Sequence, residues 1–206
     1  MSEIKWIEKM QTHIDKIKRM AKKQGIISAA TLTKAGMHSG ILCYMAKKGM
    51  LRRVSRGVYM LPDYILVHET FAEVALNIPN GVICLLSALQ FHELTSQMPY
   101  ETWVAIEKGS NYPRNLKIPV RIIQLSGENF SAGIKTFIEG GVHIRVYDPA
   151  KTVVDCFRFR NKIGSDIAVD ALRDTLQQKQ ATSDEIWEYA RRCRITKVMR
   201  PYMESV

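Results

Sequence analysis

Residues 28–62 read SAATLTKAGMHSGILCYMAKKGMLRRVSRGVYMLP. Ser28 carries the hydroxyl of a helix N-cap, and the helix formers of Ala29 to Ala35 follow it. Gly36 closes this helix, because glycine takes the left-handed position past a helix end at little cost. Met37-His38-Ser39 is the turn, with Ser39 expected to cap a second helix over Ile41 to Lys48. In that helix Leu42, Met45 and Ala46 share one face, which leaves Tyr44, Lys47 and Lys48 outward. Gly49 ends it. Leu51 to Val54 and Val58 to Leu61 then read as two short strands around Ser55-Arg56-Gly57. Gly57 supplies the positive φ that a three-residue hairpin loop needs.

Helix, tight turn, helix and basic hairpin is the order of a winged helix-turn-helix. Such a unit lays its second helix in the major groove, N-terminal residues leading. Its hairpin follows the phosphates, where arginines fix position without reading sequence. His38, Ser39, Tyr44 and Lys47 are therefore assigned to the groove and Lys48 to its edge. Arg52, Arg53, Ser55 and Arg56 are assigned to the hairpin and the phosphates. The competing reading is an αα-hairpin with a solvated charged face. The three hairpin arginines favour double-stranded DNA as the partner.

The charge has the same address. Residues 1–62 hold 13 Lys and Arg against 3 Asp and Glu, a net of +10, whereas residues 63–206 hold 17 of each. A nucleic-acid-binding module beside a neutral domain has this footprint. The basic residues do not line one long amphipathic helix with bulky apolar anchors, which speaks against a membrane surface. Pro62-Asp63 is the expected boundary between a DNA-binding domain, 1–62, and a second domain, 63–206. No apolar run approaches the roughly 18 residues of a membrane span. The N-terminus MSEIKWIEKM lacks the apolar stretch of a signal peptide, so a cytoplasmic location is expected. Cys43, Cys84, Cys156 and Cys193 are far apart, with no CxxC pair. They read as reduced and mostly buried, neither disulfides nor a zinc site.

Upstream, Glu3 to Gln24 is helical and basic, with a break expected near Gln11-Thr12, and Ile26-Ile27 fits a short strand. Lys16, Lys18, Arg19, Lys22 and Lys23 lie on its polar side. Downstream, helices are expected over Val67 to Asn77, Ala88 to Leu94 (capped by Ser87), Lys151 to Arg158 (capped by Asp148), Asp166 to Gln178 and Ser183 to Arg192. Strands are expected over Val82 to Leu86, Thr102 to Glu107, Val120 to Leu125 and Val142 to Tyr147; Phe130 to Phe137 has no clear pattern. The fold class is thus α+β: an N-terminal winged helix-turn-helix, then a mixed α/β domain with a small sheet and C-terminal helices.

Catalytic patterns are weak. Gly109-Ser110 invites comparison with nucleotidyltransferases, but the next strand, VRIIQL, has no carboxylate for a metal pair. Glu107-Lys108 lacks a correctly spaced upstream acid for a nuclease site. LLSAL around Ser87 lacks the glycines of a nucleophile elbow. There is no P-loop, and His13, His38, His68, His92 and His143 have no evident partners. The chain is expected not to be an enzyme, with no metal and no cofactor. The segment from Val146 to Lys162, VYDPAKTVVDCFRFRNK, has two readings. In one, Val153, Val154 and Phe157 pack on the sheet while Asp155 pairs a nearby arginine. In the other, Lys151, Arg158, Arg160 and Lys162 form a basic surface for a partner.

Three segments together carry a resemblance: KKGMLRRVSRGVYMLP, GVICLLSALQFHELT and VYDPAKTVVDCFRFR. In this order they resemble the AbiEi-type antitoxins of type IV toxin–antitoxin systems, linked to phage abortive infection. The likeness runs from about Gly25 to about Arg173. It implies a winged-helix domain that represses its own operon by binding promoter DNA. It also implies a C-terminal domain that counters a nucleotidyltransferase-like toxin without a stable complex. Lys151, Arg158, Arg160 and Lys162 are the expected antitoxin face. The alternative is a ligand-responsive winged-helix regulator with no toxin partner and a small-molecule pocket in the second domain. No heptad repeat appears, so a monomer in solution is expected.

Overall fold

The computed structural model describes residues 3–114, 116 and 118–204, with side chains from Met10 onward. The architecture is mixed α+β, with two small sheets and a group of C-terminal helices. Among the described residues no helix is long and apolar enough to cross a membrane. The chain divides into two compact units, and the expected cut at Pro62-Asp63 falls inside the first of them.

The first unit comprises residues 1–76 and 138–143. Helix α1 (Glu3–Gln24) runs unbroken through Gln11-Thr12. Gln11 donates to Asp15 one turn on at 3.3 Å, and Ile14, Ile17 and Ala21 keep a buried stripe going. β1 (Ile26–Ser28), α2 (Ala29–Lys34), α3 (Gly40–Lys47), β2 (Arg52–Ser55) and β3 (Val58–Met60) follow. The strands form an antiparallel sheet in the order β1-β3-β2. Ile27, Leu32, Leu42, Met45, Leu51 and Tyr59 close the core over α1. Helix α4 (Glu69–Asn77) starts two residues later than expected. Glu139 explains its start: that carboxylate accepts the His68 backbone N–H at 3.1 Å and contacts the ring Nδ1 at 3.1 Å.

The second unit comprises residues 77–137 and 144–206. Its sheet holds β4 (Val82–Ile83), β5 (Thr102–Glu107), β6 (Val120–Leu125) and, as far as Phe137 and from Ile144 on, β7 (Ile134–Glu139) and β8 (Val142–Tyr147), in the order β6-β5-β4-β8-β7. β4 is shorter than expected, because the chain turns sharply at Leu85 (φ +48) into α5 (Leu85–Phe91). Ser87 therefore sits inside the helix and is no cap: its buried hydroxyl accepts the Trp103 N–H at 2.9 Å. The stretch Phe130 to Phe137, which has no clear pattern in the sequence, takes in the end of α6 (Glu128–Ser131) and most of β7. α7 (Pro149–Arg158) is the hub. Residues 150–157 are all buried, and the helix packs on α5, α9 (Ser165–Gln177) and α10 (Ser183–Arg192). α8 (Arg160–Ile163) and α11 (Thr196–Met203) complete the helical group. All four cysteines are free: Cys84 and Cys156 are buried, Cys43 is exposed and Cys193 half-buried.

Candidate nucleic-acid interface

The geometry of this region begins at Ser28, whose hydroxyl accepts the Thr31 backbone N–H at 3.0 Å and caps α2. Gly36 has φ +71, and the Met37 N–H returns to the Leu32 carbonyl at 2.9 Å. That bond turns the chain and buries Met37. Ser39 has helical φ and ψ and makes no side-chain cap bond, contrary to expectation. The cap comes from His38, whose Nδ1 accepts the Gly40 N–H at 3.1 Å. An accepting Nδ1 requires the neutral ring with its proton on Nε2. The exposed His38 thus has one ring nitrogen committed to the fold and one donor free for a ligand.

α3 buries Leu42 and Met45 completely and half-buries Ala46. Tyr44 is 38% exposed, and Lys47 and Lys48 are exposed. The thiol of Cys43 and the hydroxyl of Tyr59 share a 3.2 Å hydrogen bond that ties α3 to β3. That bond, with burial behind it, raises the Tyr59 pKa. In the hairpin, the register slips between Arg53 and Ser55, and the Arg53 Nε donates to the Ser55 carbonyl across the bulge at 3.1 Å. Ser55 is half-buried and Arg56 exposed. Gly57 has φ +74, as the loop requires.

Arg52 departs from its assignment. Its guanidinium is paired with Glu69 at the start of α4, so this cation is committed within the unit. Among the described residues none of Lys47, Lys48, Arg53 and Arg56 is ion-paired. Lys18 and Lys22, read from the sequence as a solvated face, border an open groove of about 510 Å³ with Met50, Leu61 and Tyr64. Counted by unit, charge is less segregated than the cut at 62 suggests. The first unit holds 13 basic and 7 acidic residues, a net of +6, and the second 17 and 13, a net of +4.

The second expected face loses a member. Lys151 has no exposed surface: its Nζ donates to Asp155 at 2.5 Å and lies 4.5 Å from the centre of the Tyr147 ring. A buried ammonium needs a counter-charge, and Asp155, one turn on, supplies it in place of an arginine pair. Burial raises the Asp155 pKa, and the nearby Lys151 opposes that shift. Asp148 is the expected cap of α7, accepting the Lys151 N–H at 2.8 Å. Arg158 and Lys162 flank the Phe159 ring at 5.5 and 5.6 Å. Arg160 donates to the Phe157 carbonyl at 3.0 Å. Of the expected face, Lys162 is exposed, Arg160 is half-buried and bound to a backbone carbonyl, and Arg158 is half-buried with its Nη1 enclosed and without a hydrogen-bond partner.

The chain matches no protein-family model and no curated protein.

Proposed function

We propose that the first unit is a winged helix-turn-helix that binds double-stranded promoter DNA. In this reading the chain is the antitoxin of a type IV toxin–antitoxin system. It represses its own operon and opposes a nucleotidyltransferase-like toxin without a stable complex. One observation carries the DNA reading: α2, the Met37 turn, α3 and the β2-β3 hairpin occur in that order, with Tyr44, Lys47, Lys48, Arg53 and Arg56 exposed along them. A groove-facing helix and a phosphate-facing hairpin need such side chains. The antitoxin reading rests on the three resembling segments, and its face in the second unit is Arg158, Arg160 and Lys162, of which Arg158 and Lys162 flank Phe159.

The test has two arms. Full-length protein is titrated with a duplex carrying its own promoter across a salt series, beside Tyr44→Ala/Lys47→Ala. Tight wild-type binding, weakened at least tenfold in the variant, supports the interface; equal binding of promoter and unrelated duplex by both proteins rejects it. The second arm co-expresses the chain with the product of the neighbouring nucleotidyltransferase-like gene. Rescue of growth supports the antitoxin reading. A chain that binds its promoter but has no such neighbour, or gives no rescue, is a plain regulator.

A further inference from the structure

A cavity of about 300 Å³ lies in the second unit, where β5 ends and the turn into β4 begins. Among the described lining residues there is one acid, Glu107, and one cation, Arg145. Asn80, Ser110 and Asn111 add uncharged polar groups, and Phe130 adds an apolar wall. Arg145 is fixed: its Nη1 donates to the Asn80 carbonyl at 2.8 Å. Glu107 is fixed by its place as the last residue of β5, in register with Leu125 of β6. A tight turn follows it, closed by the Ser110 N–H on the Glu107 carbonyl at 3.0 Å and allowed by Gly109 at φ +88. The two side chains form no ion pair with each other or with any other described residue. One cavity therefore offers a positive and a negative group, both set on strands of one sheet and neither neutralised.

We propose that this cavity binds a small zwitterion of the α-amino acid class, its carboxylate on Arg145 and its ammonium on Glu107. The planar guanidinium is matched to a carboxylate. A carboxylate and amide oxygens are the acceptors an ammonium needs. The volume is at the lower end of small-molecule sites, which suits a ligand of amino-acid size. A phosphorylated ligand fits poorly, because a phosphate dianion would face Glu107 with only one cation to offset it. The Phe130 wall favours an apolar side chain on the ligand. The proposal does not depend on DNA binding or on a toxin.

Isothermal titration of the full-length protein with each standard α-amino acid tests it. N-acetyl and C-amide derivatives of the tightest binder, and nucleoside monophosphates, serve as comparisons. At least one amino acid binds at one per chain, and blocking either end weakens it about tenfold or more, the effect of deleting one charged interaction. Glu107→Gln weakens binding to the same extent while thermal unfolding is unchanged, because Glu107 is exposed. Arg145→Lys, which keeps the charge and removes the fork, weakens it as well. No heat with any amino acid at millimolar concentration overturns the proposal. So does affinity that survives Glu107→Gln or N-acetylation, or a nucleoside monophosphate that binds more tightly than every amino acid.

Discussion

The backbone N–H of Ala29 donates to the carbonyl of Gly57 at 2.8 Å. The first residue of α2 is thereby satisfied by the tip of the hairpin, so the loop carrying Arg56 is tied to the helix pair. A helix N-terminus leaves its first N–H groups without helical partners. Here one of them sets the position of the loop. Gly57 is also the residue whose positive φ forms that loop. Gly57→Val places a β-branched side chain in the left-handed region, at a cost of about 1–2 kcal/mol. The expected result is a lower midpoint in chemical denaturation and weaker promoter binding, with far-UV circular dichroism unchanged. Equal stability of the two proteins would show that the loop tolerates another conformation.

The three hairpin arginines are not equivalent. Arg53 and Arg56 have no acidic partner among the described residues, and Arg52 has Glu69. Removing one phosphate-binding cation lowers the slope of log K against log salt by about one unit. Arg53→Ala and Arg56→Ala should each give that decrease on promoter DNA, and Arg52→Ala a smaller one. A full-unit decrease in Arg52→Ala would mean that this side chain leaves Glu69 for the phosphate.

Local signals make the helix pair and hairpin legible. Ser28, Gly36, Gly49 and Gly57 act on their own neighbours, and short-range chemistry decides caps and turns. The features that stay hidden have longer reach or a closer competitor. An imidazole one residue earlier displaces the Ser39 hydroxyl as a cap. β7 has no readable pattern because Ile134 to Glu139 lies at the sheet edge with most side chains exposed, leaving no alternation. α4 and residues 138–143 join the first unit through contacts such as His68 with Glu139, 71 residues apart, which no composition break announces. Lys151 reads as surface because lysine is rarely buried. The signal that corrects it is Asp155 at i+4, with Thr152, Val153 and Val154 between them and Ala150, Cys156 and Phe157 beside them. Glu107 stands out in the sequence, but its pairing in one cavity with Arg145 depends on a strand order that local pattern does not encode.

The Lys151–Asp155 pair gives a mutational signature. Lys151→Met leaves Asp155 buried without its counter-charge. Breaking such a pair from one side costs about 3–5 kcal/mol, and replacing both partners with apolar groups costs far less. Urea denaturation should place Lys151→Met well below wild type and Lys151→Met/Asp155→Leu close to it. A surface role for Lys151 predicts the opposite, a stable single variant without antitoxin activity.

His92 supplies a pH dependence. Its Nε2 donates to the Tyr147 carbonyl at 2.7 Å, and burial lowers its pKa below the usual histidine value. The unfolded chain then takes up a proton near pH 6.5 that the folded chain does not accept until lower pH. Above that range His92 is neutral in both states and contributes no slope. As pH falls through it, stability is lost until the folded pKa is reached. Thermal midpoints measured between pH 7.5 and 5 should fall less steeply for His92→Gln than for wild type. Identical slopes would assign the acid sensitivity elsewhere.

Two glycines in the first unit approach too closely for side chains. A Cβ built on Gly25 would lie 2.6 Å from the Gly140 Cα, and one on Gly140 would lie 2.6 Å from a Leu66 methyl. Gly140 also has φ +57, which other residues rarely adopt. Residues 138–143 therefore pack directly on the turn between α1 and β1 and on the segment after β3, both within the same unit. A fragment ending at Pro62 lacks Leu66, Glu69 and the whole 138–143 segment. It should unfold at lower urea and with a broader transition than the first unit of the intact chain. In the full-length protein, Gly140→Ala should reproduce part of that loss, about 1–2 kcal/mol from the backbone alone. The measurement is urea unfolding followed by tryptophan fluorescence and circular dichroism. If the 1–62 fragment unfolds as sharply and as late as the intact chain, then α4 and the 138–143 segment are not part of what stabilises the helix pair and hairpin of the first unit.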